Sequence, residues 1–147
     1  NLPSTGASHV SVGTEVVYAS SPPSSGNHYP IWAKYGEYSS LIAPYWVHNL
    51  EHGATVLLHH PDAPAALVDA LRAYAQARPD DAGGRFRYIL APYPDLPSTI
   101  AAVTWEWSYG RDCVDAADLE VFVAAHYRQA PEDVASDGSF EDGWLQY

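Results

Sequence analysis

The pattern of apolar positions in residues 47–131 predicts alternating strands and helices. Apolar residues at helical spacing predict one helix between Pro64 and Pro79 and a second between Asp115 and Gln129. Short apolar runs predict three strands, at residues 54–59, 86–90 and 100–107. The resulting order β-α-β-β-α predicts an α+β fold, in which two helices cover a small mixed sheet with thioredoxin-like or ferredoxin-like connectivity.

Residues 1–46 show no such period and are rich in proline, serine, glycine and aromatic residues. One short strand is predicted there, at Thr14–Ala19. Because disordered segments contain few aromatic residues, we predict an irregular arm that wraps around the core and that can also mediate self-association. Residues 132–147 predict an acidic tail with three aromatic docking points, Phe140, Trp144 and Tyr147. With 147 residues, arm, core and tail are expected to form a single domain.

The net charge of the chain excludes one class of binding partner. Asp and Glu number 18 against 7 Lys and Arg, which gives a formal net charge of −11. A nucleic-acid-binding protein needs a basic surface for the phosphates, so we exclude this class. No apolar run of the sequence reaches the roughly 18–20 residues that a membrane-spanning helix requires. Metal ions, cationic partners and neutral substrates remain compatible with the sequence.

The candidate chemistry lies in the histidines. His48 and His52 are four residues apart, so on a helix both imidazoles lie on one face and can bind one cation. The same residues match H-x-x-E-H, a zinc-peptidase pattern whose glutamate activates a metal-bound water. That pattern needs a sustained helix, whereas Pro44 and Gly53 limit a helix here to about two turns. A metal-dependent hydrolase or oxidase is therefore the alternative to metal binding alone. A metal-free binding or assembly module is a further alternative.

Two runs carry a resemblance to a known family: PPSSGNHYPIWAKYGEY at Pro22–Tyr38 and WVHNLEHG at Trp46–Gly53. They resemble a bacterial family known as domain of unknown function 3105, whose signature is PP-x-SG-x-HY followed by HNLEHG. The turn Ala91–Pro94 and the APE sequence at Ala130–Glu132 are similar too. The resemblance implies an N-terminal anchor or lipoprotein leader and a location outside the cytoplasm. The chain contains no methionine, which agrees with a processed secreted, periplasmic or anchored protein. The resemblance implies no particular enzymatic activity.

The family pattern also implies four recurring histidines, and we expect them to form one mononuclear metal site: His9, His28, His48 and His52. Coordination would offset the entropy cost of ordering the arm. Glu51 is expected to point away from the His48 and His52 face, and together with Tyr29 to be a neighbour of the ligands rather than a ligand. An all-imidazole site suits copper or zinc, and we favour copper because an extracytoplasmic protein meets it under oxidising conditions.

Overall fold

A six-stranded mixed sheet and three helices make up the described part of the chain. The structure is a computed structural model that describes residue 2 and residues 6–146, so the predicted docking residue Tyr147 lies outside the described residues. The helices are α1 (Ala43–Glu51), α2 (Ala65–Ala77) and α3 (Ala116–His126). The strands are β1 (Gly36–Tyr38), β2 (Thr55–His59), β3 (Tyr88–Pro92), β4 (Ile100–Thr104), β5 (Trp107–Arg111) and β6 (Trp144–Leu145).

The predicted α+β class with a small mixed sheet is confirmed. The strands lie in the order β5-β4-β2-β3-β1-β6. Strands β2 and β3 are parallel neighbours joined by α2, whereas β4 is antiparallel to β2 and forms a hairpin with β5. In a ferredoxin-like sheet another strand separates the two strands that the first helix joins. The order β5-β4-β2-β3 is therefore the thioredoxin-like one of the two predicted connectivities.

Two of the predicted strands differ from the structure: one is absent and the other is interrupted by a turn. Residues 14–19 form no strand; tyrosine hydroxyls hold the segment instead, with Tyr18 Oη donating to the Asn27 carbonyl at 2.7 Å. The predicted strand 100–107 is broken by a turn at residues 105–106, after which β5 returns beside β4. Glu106 takes a left-handed φ of 66° in that turn, and its N–H donates to the Ser24 carbonyl of the arm. No glycine, asparagine or proline marks this turn in the sequence.

Helix α1 begins inside the segment that was predicted to be irregular, and it is one helix more than the two predicted. It has nine residues, which exceeds the predicted limit of about two turns. Pro44 lies in its first turn, where the missing N–H is not needed, so this proline starts the helix instead of preventing it. Every residue from Pro44 to Glu51 is buried. A helix buried on all sides lies at the centre of the molecule, and the arm and the tail cover it.

The arm and the tail are packed segments. Strand β1 of the arm pairs with β3 and with β6 of the tail. The Phe140 ring stacks on Tyr45 with 3.6 Å between centroids, and Trp144 Nε1 donates to the Tyr35 carbonyl, so both residues dock as predicted. Most aromatic side chains of residues 29–46 are buried inside their own chain. Self-association through the arm therefore stays a prediction that these buried rings do not support.

Gly138 allows the tail to pass directly over the backbone of the arm. A methyl group at this position would overlap the carbonyl oxygens of Trp32 and Ala33, which are backbone atoms and cannot rotate away. We expect Gly138→Ala to lower the free energy of unfolding by about 1–3 kcal/mol, as overpacking does. Denaturant unfolding measures this loss. Ser139→Ala, at an exposed neighbouring position, is the control and should change little. Equal stability of the two variants would contradict the close packing.

In the described part of the chain, no helix combines the length and the apolar character that crossing a membrane requires.

Candidate metal centre

Helix α1 and the residue that caps its C-terminus, His52, provide three side chains of the site. His48, Glu51 and His52 are three and four residues apart, so they share one face near the end of the helix. Nε2 of His48 lies 3.2 Å from Nε2 of His52, as the spacing predicts. Glu51 was expected to point away from this face, and that expectation is wrong. Its Oε1 atom lies 3.3 Å from Nε2 of His28, because residues three apart on a helix are also neighbours.

The arm adds His9 and His28 by a short backbone pairing. The Val10 N–H donates to the His28 carbonyl at 2.8 Å, and the His28 N–H donates to the Ser8 carbonyl at 3.1 Å. This parallel bridge places the His9 and His28 rings side by side, with 5.0 Å between their centroids. His28 is fully buried, whereas His9 is exposed. The arm therefore closes over the helix and leaves one edge of the cluster open to solvent.

Three of the four predicted histidines converge with a glutamate. The ring centroid of His48 lies 4.9 Å from that of His9 and 4.7 Å from that of His28. One ligand atom each of His9, His28, His48 and Glu51 lies within 4.8 Å of all the others, and we call these four residues the histidine group. His52 borders this group through His48.

Backbone carbonyls fix the tautomers of His28 and His48, two of the three buried histidines. Nδ1 of His28 lies 2.9 Å from the Gly26 carbonyl oxygen, and Nδ1 of His48 lies 2.6 Å from that of Tyr29. A carbonyl oxygen only accepts, so both Nδ1 atoms carry the proton and both Nε2 atoms carry a lone pair; that of His48 faces Nε2 of His52 at 3.2 Å. Nε2 of His28 is buried and has no hydrogen-bond partner among the described residues. Buried polar atoms are rarely left in this state, and a metal-binding histidine uses its second nitrogen in this way.

Tyr29 lies beside the site, but its side chain points elsewhere. Its hydroxyl donates to the Thr14 carbonyl at 3.0 Å, and its ring packs edge-on against Tyr45. The residue acts on the site through its backbone carbonyl, which orients the His48 ring.

A second group of ligand atoms lies next to the first and contains Glu51, His52 and Glu132, which we call the carboxylate group. Nε2 of His52 lies 3.2 Å from Oε2 of Glu132. The tail reaches this position by two backbone bonds, from the Glu132 N–H to the Glu51 carbonyl and from the Val134 N–H to the His52 carbonyl. Glu132 is not among the site residues predicted from the sequence. The APE sequence at Ala130–Glu132 was the only signal that pointed to it.

Trp32 is the other residue that the sequence analysis missed. Its ring centroid lies 4.6 Å from that of His52 and 5.0 Å from that of His48. Nε1 of Trp32 donates to the Ser136 carbonyl of the tail at 3.1 Å. The indole therefore covers one side of the α1 histidines and is held in place by the tail.

Burial determines the protonation states of the buried histidines and of Glu51. It lowers the pKa of His28 and of His52, and it lowers the pKa of His48 to about 4. Burial also raises the pKa of Glu51 to about 7, and the adjacent Glu132 carboxyl adds to this rise. The three buried imidazoles are therefore neutral at pH 7, which is the form that binds metal ions.

The spacing of the donor atoms suits a metal ion of ordinary bond length. Ligands about 2.0–2.1 Å from a tetrahedral ion lie roughly 3.3–3.4 Å from one another. In the histidine group, Nε2 of His28 and Oε1 of Glu51 are 3.3 Å apart, and in the carboxylate group, Nε2 of His52 and Oε2 of Glu132 are 3.2 Å apart. The donor set is imidazole and carboxylate, and neither group of described residues contains a thiolate.

Comparison with known proteins gives one family. The model of a family described as protein of unknown function (DUF3105) matches residues 9–139, a range that begins at His9 and includes Glu132. The comparisons with curated proteins and with solved structures gave no match.

Proposed function

The chain belongs to the DUF3105 family of proteins of unknown function, and we propose that it binds a copper or zinc ion at the histidine group. His9, His28 and His48 are the imidazole ligands in this proposal, and the Glu51 carboxylate takes the fourth position. His52 was predicted as the fourth ligand, and it belongs to the neighbouring carboxylate group. The role we propose is metal handling, or metal-dependent stabilisation of the arm, outside the cytoplasm.

One observation carries the proposal: the buried Nε2 atom of His28 has a free lone pair, has no hydrogen-bond partner among the described residues, and faces the Glu51 carboxylate. Its other nitrogen is held by the Gly26 carbonyl. Leaving a buried acceptor without a partner costs about 1–3 kcal/mol, and a bound metal ion would remove this cost.

Copper is preferred to zinc because of the ligand chemistry. Copper(II) binds more tightly than other divalent ions of the first transition row to a site of nitrogen and oxygen donors. An extracytoplasmic location would present the metal in this oxidised form. The proposed location rests on the family resemblance, and the acidic net charge of −11 is compatible with a cationic partner.

Metal binding to the folded protein is the direct test. Copper(II) should remain with the protein through gel filtration, in at least one equivalent by elemental analysis. At a free concentration of about 100 times Kd it should also stabilise the fold by about 2.7 kcal/mol. Magnesium, which prefers oxygen ligands and keeps its waters, is the control and should leave Tm unchanged. If copper(II) and zinc neither stay bound nor raise Tm, the proposal is wrong.

Trp32 provides an internal reporter for the position of the ion. Its ring lies against His48 and His52, so bound copper(II) should quench its fluorescence by electron or energy transfer over a short distance. We expect Trp32→Phe to lose the largest share of the copper-dependent quenching. Trp107→Phe is the matched control, because Trp107 stacks on His126, which belongs to neither ligand group. Equal quenching in both variants would place the copper away from α1.

A further inference from the structure

The carboxylate group supplies ligands that the proposed single ion does not use. Glu51, His52 and Glu132 each offer an atom within 4.8 Å of the other two, and Glu51 also belongs to the histidine group. His52 is 4 % exposed and Glu51 is 7 % exposed, so two of the three ligands lie in the interior. A further cation beside the first would therefore share Glu51 with it.

The contacts continue from one group into the other without a gap. Glu51 faces His28 through Oε1, and a carboxylate oxygen of Glu51 also lies within 4.8 Å of one of Glu132. Nε2 of His52 lies 3.2 Å from Oε2 of Glu132 on one side and 3.2 Å from Nε2 of His48 on the other. The distances from His28 to Glu51 and from His52 to Glu132 are near the edge length of a metal coordination shell. Glu51 thus lies beside potential metal ligands of both groups.

The local charges also favour a cation. Two carboxyl groups lie within 4.8 Å of each other, and the groups that face them are imidazoles that are neutral at pH 7, His28 beside Glu51 and His52 beside Glu132. The arginine that reaches the His52 carbonyl, Arg87, is itself paired with Asp81 and Asp133. The positive charge of Arg87 is therefore neutralised by carboxylates other than Glu51 and Glu132. A divalent ion between Glu51, His52 and Glu132 would supply the missing positive charge.

We propose that the site is dinuclear, with Glu51 as a bridging carboxylate. The first ion is the one of the proposed function, on which this inference rests, and His52 and Glu132 hold the second. Two-metal sites with shared ligands have the ions about 3.5–4 Å apart. The Glu132 side chain is 52 % exposed, so the second ion has three protein ligands and a side that faces solvent. A site of this kind can exchange its metal or bind a small molecule at the open position.

Copper(II) stoichiometry of the folded chain and of Glu132→Gln tests this inference. The wild type should retain two equivalents of copper(II) after gel filtration, and the variant should retain one. The affinity of the variant for this remaining ion should be within about tenfold of the wild-type affinity. Replacing a residue that neighbours a metal ligand without binding the ion itself costs at least about this much. Electron paramagnetic resonance of the doubly loaded wild type should show two dipole-coupled copper ions with a half-field signal. Glu132→Gln should show an isolated ion.

Glu141→Gln is the matched control, because Glu141 is also exposed, lies in the tail and contacts Lys34 instead of the site. It should retain two coupled ions. Wild type that binds only one equivalent, or Glu132→Gln that still binds two, overturns the dinuclear site but leaves the proposed function intact. Wild type that binds no copper(II) and no zinc overturns both proposals. Circular dichroism of each variant establishes that it is folded.

Discussion

Replacing His28 by asparagine is expected to weaken copper(II) binding by about 100-fold or more, because losing a neighbour of a metal ligand already costs about 10–100-fold. The asparagine amide can occupy the position of the histidine Nδ1 and keep the hydrogen bond to the Gly26 carbonyl. The variant then removes only the Nε2 side of the ring, which is the atom proposed to bind the metal. Titration calorimetry against a competing chelator measures the affinity.

The same variant separates binding from folding. Nε2 of His28 makes no hydrogen bond to any described residue, so the metal-free protein should lose only about 1–2 kcal/mol from the smaller side chain. His60→Asn is the control, since His60 is half-buried and belongs to neither ligand group. Its copper affinity should equal that of the wild type. If His28→Asn binds copper(II) as tightly as His60→Asn does, His28 is not a ligand.

The second large effect is expected at Asn49, which lies between His48 and Leu50 and is fully buried in α1. Its Nδ2 donates to the Ala33 carbonyl at 2.8 Å, and its Oδ1 accepts from the Ala33 N–H at 3.0 Å. One side chain thus satisfies both backbone groups of an arm residue, as a neighbouring β-strand would. Asn49→Leu keeps the branching at Cγ but leaves two buried backbone groups without partners. At about 1–3 kcal/mol each, we expect a loss of about 2–6 kcal/mol.

Denaturant unfolding of the metal-free protein measures this loss. Gln76→Leu, at an exposed position of α2, makes the same change of an amide to an isobutyl group and should shift stability by less than about 0.5 kcal/mol. Hydrogen exchange should also show the Ala33 amide exchanging much faster in Asn49→Leu. Unchanged stability and exchange would mean that something other than Asn49 holds the arm on α1.

The part of the site on α1 was the most predictable from sequence. Helical geometry places residues four apart on one face, so the spacing of His48 and His52 was sufficient to predict that they meet. The length of the helix was underestimated because Pro44 was treated as a barrier, although a proline in the first turn is compatible with a helix. The position of Glu51 was misjudged because the three-residue neighbour on the same face was not considered.

The rest of the site depends on contacts that a local pattern cannot show. Glu132 reaches the site through backbone bonds between the tail and the end of α1, and any residue type can donate such bonds. Trp32 is held by a carbonyl of the tail. His9 and His28 could be grouped with the α1 histidines only through the family resemblance. Their juxtaposition depends on a two-residue bridge without any periodic signal.

The lack of a local sequence pattern also explains where the observed fold differs from the predicted one. Helix α2 has an apolar face, α3 has a capping residue at Asp115, and β2 and β3 are short apolar runs, and the structure contains all four. Strands β1 and β6 have three and two residues, which is too short for an alternating pattern to be recognised. They exist because the arm and the tail pair with the edge of a sheet that is already formed.

The bond between the tail and α1 has a consequence for how the protein is made. Ligands of the carboxylate group come from α1 and from the tail, so a nascent chain whose tail is still inside the ribosome has only an incomplete coordination shell. In the proposed dinuclear site, the second ion could therefore bind only after the tail has been synthesised and has closed on α1, whereas the ligands of the first ion are complete without the tail. A content of two equivalents instead of one would then report how much of a preparation has reached its mature conformation.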